Sequence, residues 1–381
     1  MKILMGDGVQ YNSPTHVGSH NYADLFAQDR HEVFWLGQTV HLLNIVRAAM
    51  RHPLHKTLIA SWQAGGIKIR DNLWTYHPLT LLPHRDFTFL ASKFVQEHTL
   101  QFTLPPVRKI LKKLGFERVE LLWLSQSLHS LSLARYARYG KLIYRMSDDY
   151  MQFRGIPANM EKAETEIIEV ADTVFVTSRK LYEKVRASGG DKVFYLPNGV
   201  DLAHFDIPTP AEPVDIAALP HPRVLYVGAI KEWFDFELMI HAAKSLPDVS
   251  FVLVGPHINI ERAAVVPNVH ILGVRPYAQL PPYLHHCDVG VIPFLKTPLT
   301  DNINPVKIFE YFASGLPVVS TNMYEVEQLH SPALITKTPG EFVDALKEAR
   351  DYGRGHAEYL QFARANSWQK RYARIKERLL Q

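Results

Sequence analysis

Cysteine is almost missing from this chain: Cys287 is the single one, which excludes an internal disulfide. Long apolar runs are missing as well. No uncharged stretch approaches the roughly 20 residues that cross a bilayer, so membrane contact is expected to be peripheral at most. Low-complexity tracts and repeats of fixed period are also lacking, and the composition, 47% apolar and 21% charged, is that of a folded globular protein. The start "MKILMGDG" is a short apolar run ending in glycines, without the layout of a signal peptide, so the expected location is the cytoplasm, with the inner face of the cell membrane left open. At 381 residues the size favours two domains.

The net charge of +4 is unevenly distributed: 25 Lys and Arg face 18 Asp and Glu through Gly199, leaving 17 against 20 for the rest. Much of the excess lies in "VRKILKKLGFER", where Arg108, Lys109, Lys112 and Lys113 repeat at helical spacing beside Ile110, Leu111 and Leu114. Two readings stay open, a solvated helix face and an amphipathic helix on anionic lipid. No recognition motif accompanies the charge, so nucleic acid is not the expected partner.

Along the front half, the apolar runs "KILMG", "HEVFWLG", "ELLWLS", "KLIYRM", "TVFVTS" and "KVFYLPNG" alternate with amphipathic stretches such as "NYADLFAQD" and "NMEKAETEIIEVA", the rhythm of a parallel sheet. The proline-rich "DIPTPAEPVDIAALPHPR" resists helix and central strand and reads as a linker. A second alternation follows in "RVLYVGAI", "SFVLVG", "VHILG", "VGVIPF" and "LPVVST". The expected architecture is α/β: a Rossmann-like domain over 1–200, a linker over 201–222 and a second Rossmann-like domain over 223–355. A C-terminal helix in 356–381 is expected to pack back toward the first domain. Two doubly wound units facing each other would form a central cleft, with ligands beyond the carboxyl ends of the strands.

The stretch "DNINPVKIFEYFASGLPVVST" carries the most chemistry. Asn304 is placed to cap a helix with Pro305 at its first position, and Gly315 to stop it. Lys307 then falls in the first turn, where unpaired N–H groups and the positive end of the helix dipole repel a cation by about 0.3–1 kcal/mol. A bound phosphate would turn that repulsion into a clamp. Glu310, one turn on, is suited to accept from the hydroxyls of a ribose. The plain alternative is a Lys307–Glu310 pair worth a few tenths of a kcal/mol, about 0.2–0.5.

These residues resemble something known. "NPVKIFEYFASGLPVVST" resembles the donor-binding segment of GT-B-fold glycosyltransferases of the family 4 type, in which a helix Glu is followed by a small residue, Gly, any residue, Pro and an apolar strand. "ADTVFVTSRKLYEKV" with "VFYLPNGVDLAHF", "VLYVGAIKEWFDFELM" and "VHILGVRPYAQLPPYLHHCDVGVIPF" are similar to the family's interdomain region, first donor-domain strand and nucleobase-side segment, in that order. Retaining members carry a second Glu eight positions before the helix Glu; here that position is Asn302. "KLIYRMSDDY" is similar to the "YRASDG" stretch of the inverting xanthan-assembly glucuronosyltransferase, and teichuronic-acid and exopolysaccharide glycosyltransferases share the "GAIKEWFDFEL" and "NPVKIFEYFASG" look.

The resemblance implies a GT-B fold and sugar transfer from a UDP- or GDP-linked donor to a glycan or lipid-linked glycan in cell-surface polysaccharide synthesis. Asp148 would act as base. Gly228, Lys231, Arg275, Asn302, Asn304, Lys307 and Glu310 would hold the donor; His16, His20 and His129 are expected on the acceptor side from their place in cleft-end loops, not from the resemblance. No cofactor and no metal are expected: an Asp-x-Asp motif is lacking, and His285, His286 and Cys287 in "LHHC" diverge on a helix. The loop-like "YHPLTLLPHR", Tyr76 to Arg85, is a further acceptor-side candidate. Two other readings remain, a GT-B-fold sugar-nucleotide epimerase and a catalytically silent binding subunit. A dehydrogenase is disfavoured because "GDGVQYNSPTHVG" lacks the third glycine of the dinucleotide fingerprint.

Overall fold

The computed structural model describes residues 1–13, 16–41, 44–46, 53–82, 90, 92–127, 129–153, 156, 160–258 and 266–379. It divides into two compact units, Met1–Leu196 and Pro197–Gln381. Each has its own hydrophobic core.

The strands of the first unit are β1 (Lys2–Gly6), β2 (Glu32–Leu36), β3 (Ile67–Arg70), β4 (Leu73–Tyr76), β5 (Leu79–Thr80), β6 (Thr103–Leu104), β7 (Val119–Ser125), β8 (Tyr139–Met146), β9 (Thr173–Val176) and β10 (Val193–Tyr195). Eight of them form one sheet in the order β10-β9-β8-β7-β1-β2-β4-β3, while β5 and β6 form a separate antiparallel pair. Every neighbour in the large sheet is parallel except β3 on β4. The six runs expected as strands are all strands. Parallel strands are covered on both faces, so they read as continuous apolar runs, and Leu122, Trp123, Leu142 and Val174 accordingly lie in the interior. Tyr76 ends β4 and is fully buried, and Leu79–Thr80 is β5, so this part of "YHPLTLLPHR" is sheet and core and not a pocket-lining loop. Residues 83–85 of that stretch lie outside the described residues.

The second unit holds β11 (Arg223–Val227), β12 (Ser250–Val254), β13 (Val269–Gly273), β14 (Val289–Ile292), β15 (Val318–Thr321) and β16 (Leu334–Thr336). They form one parallel sheet in the order β13-β12-β11-β14-β15-β16. The strand order reverses direction between β11 and β14. In open parallel sheets such a reversal leaves a crevice at the carboxyl edge. The proline-rich segment before β11 is free of strands and packs on this unit: Ile216 is fully buried in its core, and Arg223 is ion-paired to Glu212.

The Val306–Ala313 helix lies beside β14 and β15 with Ile308, Phe309, Tyr311 and Phe312 buried. Two contacts fix its depth. The Val227 N–H donates to the Tyr311 hydroxyl at 2.9 Å. Gly290 of β14 lies against the same ring, where a Cβ would come 2.6 Å from Tyr311 Cδ2. The helix ends at Gly315, whose φ of +70° is the left-handed conformation glycine adopts at least cost.

Candidate functional site

At the carboxyl end of β11 the chain turns through Gly228 with φ of +137°, and at the end of β12 through Gly255 with φ of +147°. The two turns touch backbone to backbone: a Cβ on Gly255 would sit 2.0 Å from the Gly228 carbonyl oxygen. Side chains are thereby kept from the edge of the sheet where the Val306–Ala313 helix begins. Lys307, in the first turn of that helix, reaches toward this bare edge, and a Cβ on Gly228 would lie 3.2 Å from its Cε and 3.4 Å from its Nζ.

Aromatic faces, not a carboxylate, receive the Lys307 ammonium. Its Nζ lies 4.7 Å from the Phe294 ring centre and 5.2 Å from that of Tyr226. Among the described residues it makes no hydrogen bond or ion pair, so the direct Lys307–Glu310 bridge does not form. Burial pulls the amine down to about 8, against which Glu310 pushes upward. Burial likewise lifts the Glu310 carboxyl to about 7, with Lys307 opposing. The backbone N–H groups of Val306 and Lys307 have no acceptor among the described residues. The first turn of this helix therefore carries an ammonium without a bonded carboxylate and two free N–H groups at the positive end of the dipole.

Pro305, not Asn304, is the cap residue, and no side chain caps the helix. Asn304 is buried and acts as a tie. Its Oδ1 accepts from the Asn198 N–H at 3.0 Å, its carbonyl accepts from Asn198 Nδ2 at 2.7 Å, and its Nδ2 donates to Glu325 Oε1 at 3.1 Å. Asn302 donates through Nδ2 to the Pro298 carbonyl at 2.8 Å, which leaves its Oδ1 as an available acceptor. Lys231 is exposed, with its Nζ 5.7 Å from the Trp233 ring centre. Arg275 is fully engaged elsewhere: it donates to Asp215 at 2.7 Å, to the Tyr283 hydroxyl at 2.9 Å and to the carbonyls of Leu272 and Val274 at 2.7 and 3.0 Å. It ties the segment before β11 to the loop after β13, and its guanidinium has few donors left for a diphosphate.

In the first unit, Ser147, Asp148 and Asp149 follow β8. Asp149 is buried and accepts from Lys184 Nζ at 2.9 and 3.0 Å. Asp148 has no such cation. Burial raises its pKa, which the Ser147 hydrogen bond and the Arg145 charge partly offset. The loop is held from below: Gln126 Oε1 accepts the N–H groups of Ser147 and Asp148 at 3.1 and 3.2 Å, while Gln126 Nε2 donates to Glu164 at 2.7 Å. His16 stacks on His20 at 4.6 Å between ring centres. His20 is inside the first helix, buried against Trp35, with Nε2 3.2 Å from the Gln10 carbonyl. His129 is buried at the start of the Ser130–Tyr136 helix, and desolvation with the nearby His77 pushes it down to about 4. Neither His20 nor His129 lines an open loop.

Residues 221–351 match the family model described as Glycosyl transferases group 1. A Bacillus subtilis (strain 168) protein described as "Putative teichuronic acid biosynthesis glycosyltransferase TuaH" is 29% identical over 191 residues, 48% of this chain and 48% of that protein. The match thus spans about half the length of this curated relative. The segment is a group 1 glycosyl transferase domain. Among solved structures, sucrose-phosphate synthase from Thermosynechococcus elongatus aligns over 99% of this chain and 98% of its own, with a TM-score of 0.69 at 16% identity. Anabaena HepE in complex with UDP and glucose aligns over 100% and 99%, with a TM-score of 0.65 at 16% identity. These neighbours establish the α/β GT-B type of fold.

The group 1 domain contains Gly228, Lys231, Arg275, Asn302, Asn304, Lys307 and Glu310, whereas Asp148 and the three histidines fall outside it. Sequence reasoning passed over Tyr226, Phe294 and Asn198. The two rings are strand-end aromatics indistinguishable from core residues in a linear reading, although Asn198 sits in the quoted "PNGVD".

Proposed function

We propose that the chain is a glycosyltransferase that moves a sugar from a nucleoside-diphosphate donor to a hydroxyl of a glycan or lipid-linked glycan in polysaccharide synthesis. The observation that carries this reading is the unpaired Lys307 ammonium beside free N–H groups at a helix start, against a turn with no side chain at Gly228. A diphosphate supplies the missing anion. The group 1 domain supports the reading, as do the name of the Bacillus relative and the UDP and UDP-glucose complexes of HepE.

In the proposed step the acceptor oxygen attacks the anomeric carbon while the bond from that carbon to the phosphate oxygen breaks. The acceptor proton passes to Asp148, whose half-buried carboxylate, unlike that of Asp149, is not ion-paired to Lys184. The electron pair leaves with the diphosphate, where Lys307 and the helix start neutralise it. Glu310 accepts from ribose hydroxyls, and Asn302 Oδ1 accepts from the sugar.

A thermal-shift panel of UDP, GDP and their hexose derivatives tests this. A ligand at a hundred times its Kd adds about 2.7 kcal/mol of stability, so one of the two series is expected to raise Tm clearly. Uridine and guanosine are expected to do nothing. No shift from any diphosphate, or an equal shift from the bare nucleosides, overturns the proposal.

A further inference from the structure

The Val107–Lys113 helix shows where its two faces go. Val107, Ile110 and Leu111 are buried in the core of the first unit, so the apolar side is not available to insert into lipid, and an amphipathic helix lying in a bilayer is excluded. At 100° per residue, Arg108, Lys109, Lys112 and Lys113 fall on the opposite side, and all four are exposed. Among the described residues none of the four is ion-paired; Arg108 lies over the Tyr136 ring at 5.0 Å and the rest point to solvent without a partner.

A second feature adjoins this face. Leu81, Phe94, Phe102 and Leu104 are each between 39% and 53% exposed, and Phe94 and Phe102 are the exposed phenylalanines among the described residues. They form one surface: the Leu81 N–H donates to the Phe102 carbonyl at 2.8 Å, and the Phe94 and Phe102 rings are 6.2 Å apart. Leu104 ends β6, only Pro105 and Pro106 separate it from the cationic helix, and Thr103 Oγ1 accepts from the Val107 N–H at 2.9 Å. Lys93 and Arg135 are closed into a network with Glu97 and Glu166.

We propose that this surface rests on an anionic lipid bilayer, with the Val107–Lys113 cations on the headgroups and the exposed phenylalanines and leucines at the level of the acyl boundary. Apolar side chains alone would suit many partners. Four unpaired cations on the adjoining helix face select one that offers apolar depth and negative charge together, as anionic membranes do. The inference is independent of sugar transfer and stands or falls without it.

Cosedimentation of the full chain with vesicles of phosphatidylcholine, with and without phosphatidylglycerol, tests it. Binding is expected to phosphatidylglycerol vesicles alone, and to be lost when salt rises from about 0.1 M to about 1 M, which shortens the screening length from about 10 Å to about 3 Å. The K109E/K112E variant is expected to weaken binding by at least about tenfold, since each cation contributes roughly fivefold. The milder K109Q/K112Q and F102S/L104S variants are expected to fall between it and the parent, with the parent's circular dichroism. Equal binding by the parent and K109E/K112E overturns the proposal, as does no binding to either vesicle. A concentration-dependent dimer that F102S/L104S abolishes would assign the surface to a second copy of the chain and overturn it too.

Discussion

Lys307 is held in a place that favours its neutral form. Desolvation between two rings brings its amine down to about 8, so it is charged at neutral pH and sheds the charge as pH rises through that value. The unfolded chain keeps the proton up to the ordinary lysine value of 10.5, so unliganded stability rises with pH between about 8 and that point. Glu310 works in the opposite sense. Its carboxyl, lifted to about 7, lets the folded chain bind more protons than the unfolded one from 4.5 upward, and stability falls with pH across that window. Both groups store a cost that a bound diphosphate and ribose would relieve. In the first unit Asp148 and Asp149 are adjacent yet distinct, because Lys184 occupies only the second. An Asp148→Asn variant is expected to lose roughly 10²–10⁴ in kcat with donor Kd unchanged, read by steady-state kinetics and calorimetry. Unchanged turnover would instead favour a silent binding subunit.

The start of the Val306–Ala313 helix is set by a tie to a distant loop. Asn304 bonds Asn198, 106 residues earlier, and Glu325, 21 residues later, so replacing it strands buried polar groups on both sides. Asn304→Ala is therefore expected to lower stability by about 1–3 kcal/mol in urea unfolding and to weaken diphosphate binding, since the helix start loses its anchor. An Asn304→Ala chain with parental stability would show that the tie is dispensable. No linear reading reveals such a partner, and the cap role read for Asn304 belongs to Pro305. Elements whose sequence matched their burial were legible: "RVLYV" and "SFVLV" are wholly buried strands and read as such. The strands β3, β4 and β16 were not, and for β3 the reason is visible: "IKIR" alternates in exposure and lacks the continuous apolar run of the other strands. Gly315 was legible because its positive φ leaves a compositional mark.

At the scale of the whole chain, two α/β units carry different parts of the proposed chemistry. The group 1 domain holds the cation, the bare glycine turn and the helix start, while the first unit holds Asp148. The order of apolar runs made both sheets readable, and the helix that carries Lys307 and Glu310 was traceable from its own sequence. The histidines expected on the acceptor side were less legible: His20 and His129 are buried, and a lone His carries no mark of whether it faces a ligand or the core. The account rests on a diphosphate being gripped at Lys307, and calorimetric titration of the full chain with UDP and GDP tests that most directly, comparing parent and Lys307→Ala at pH 7 and pH 9. The account predicts that the bound nucleotide is held about 10- to 100-fold less tightly by Lys307→Ala at pH 7. It also predicts that the parent's affinity falls toward the variant's at pH 9, where the amine is neutral. Equal affinity of parent and variant at pH 7 would contradict it.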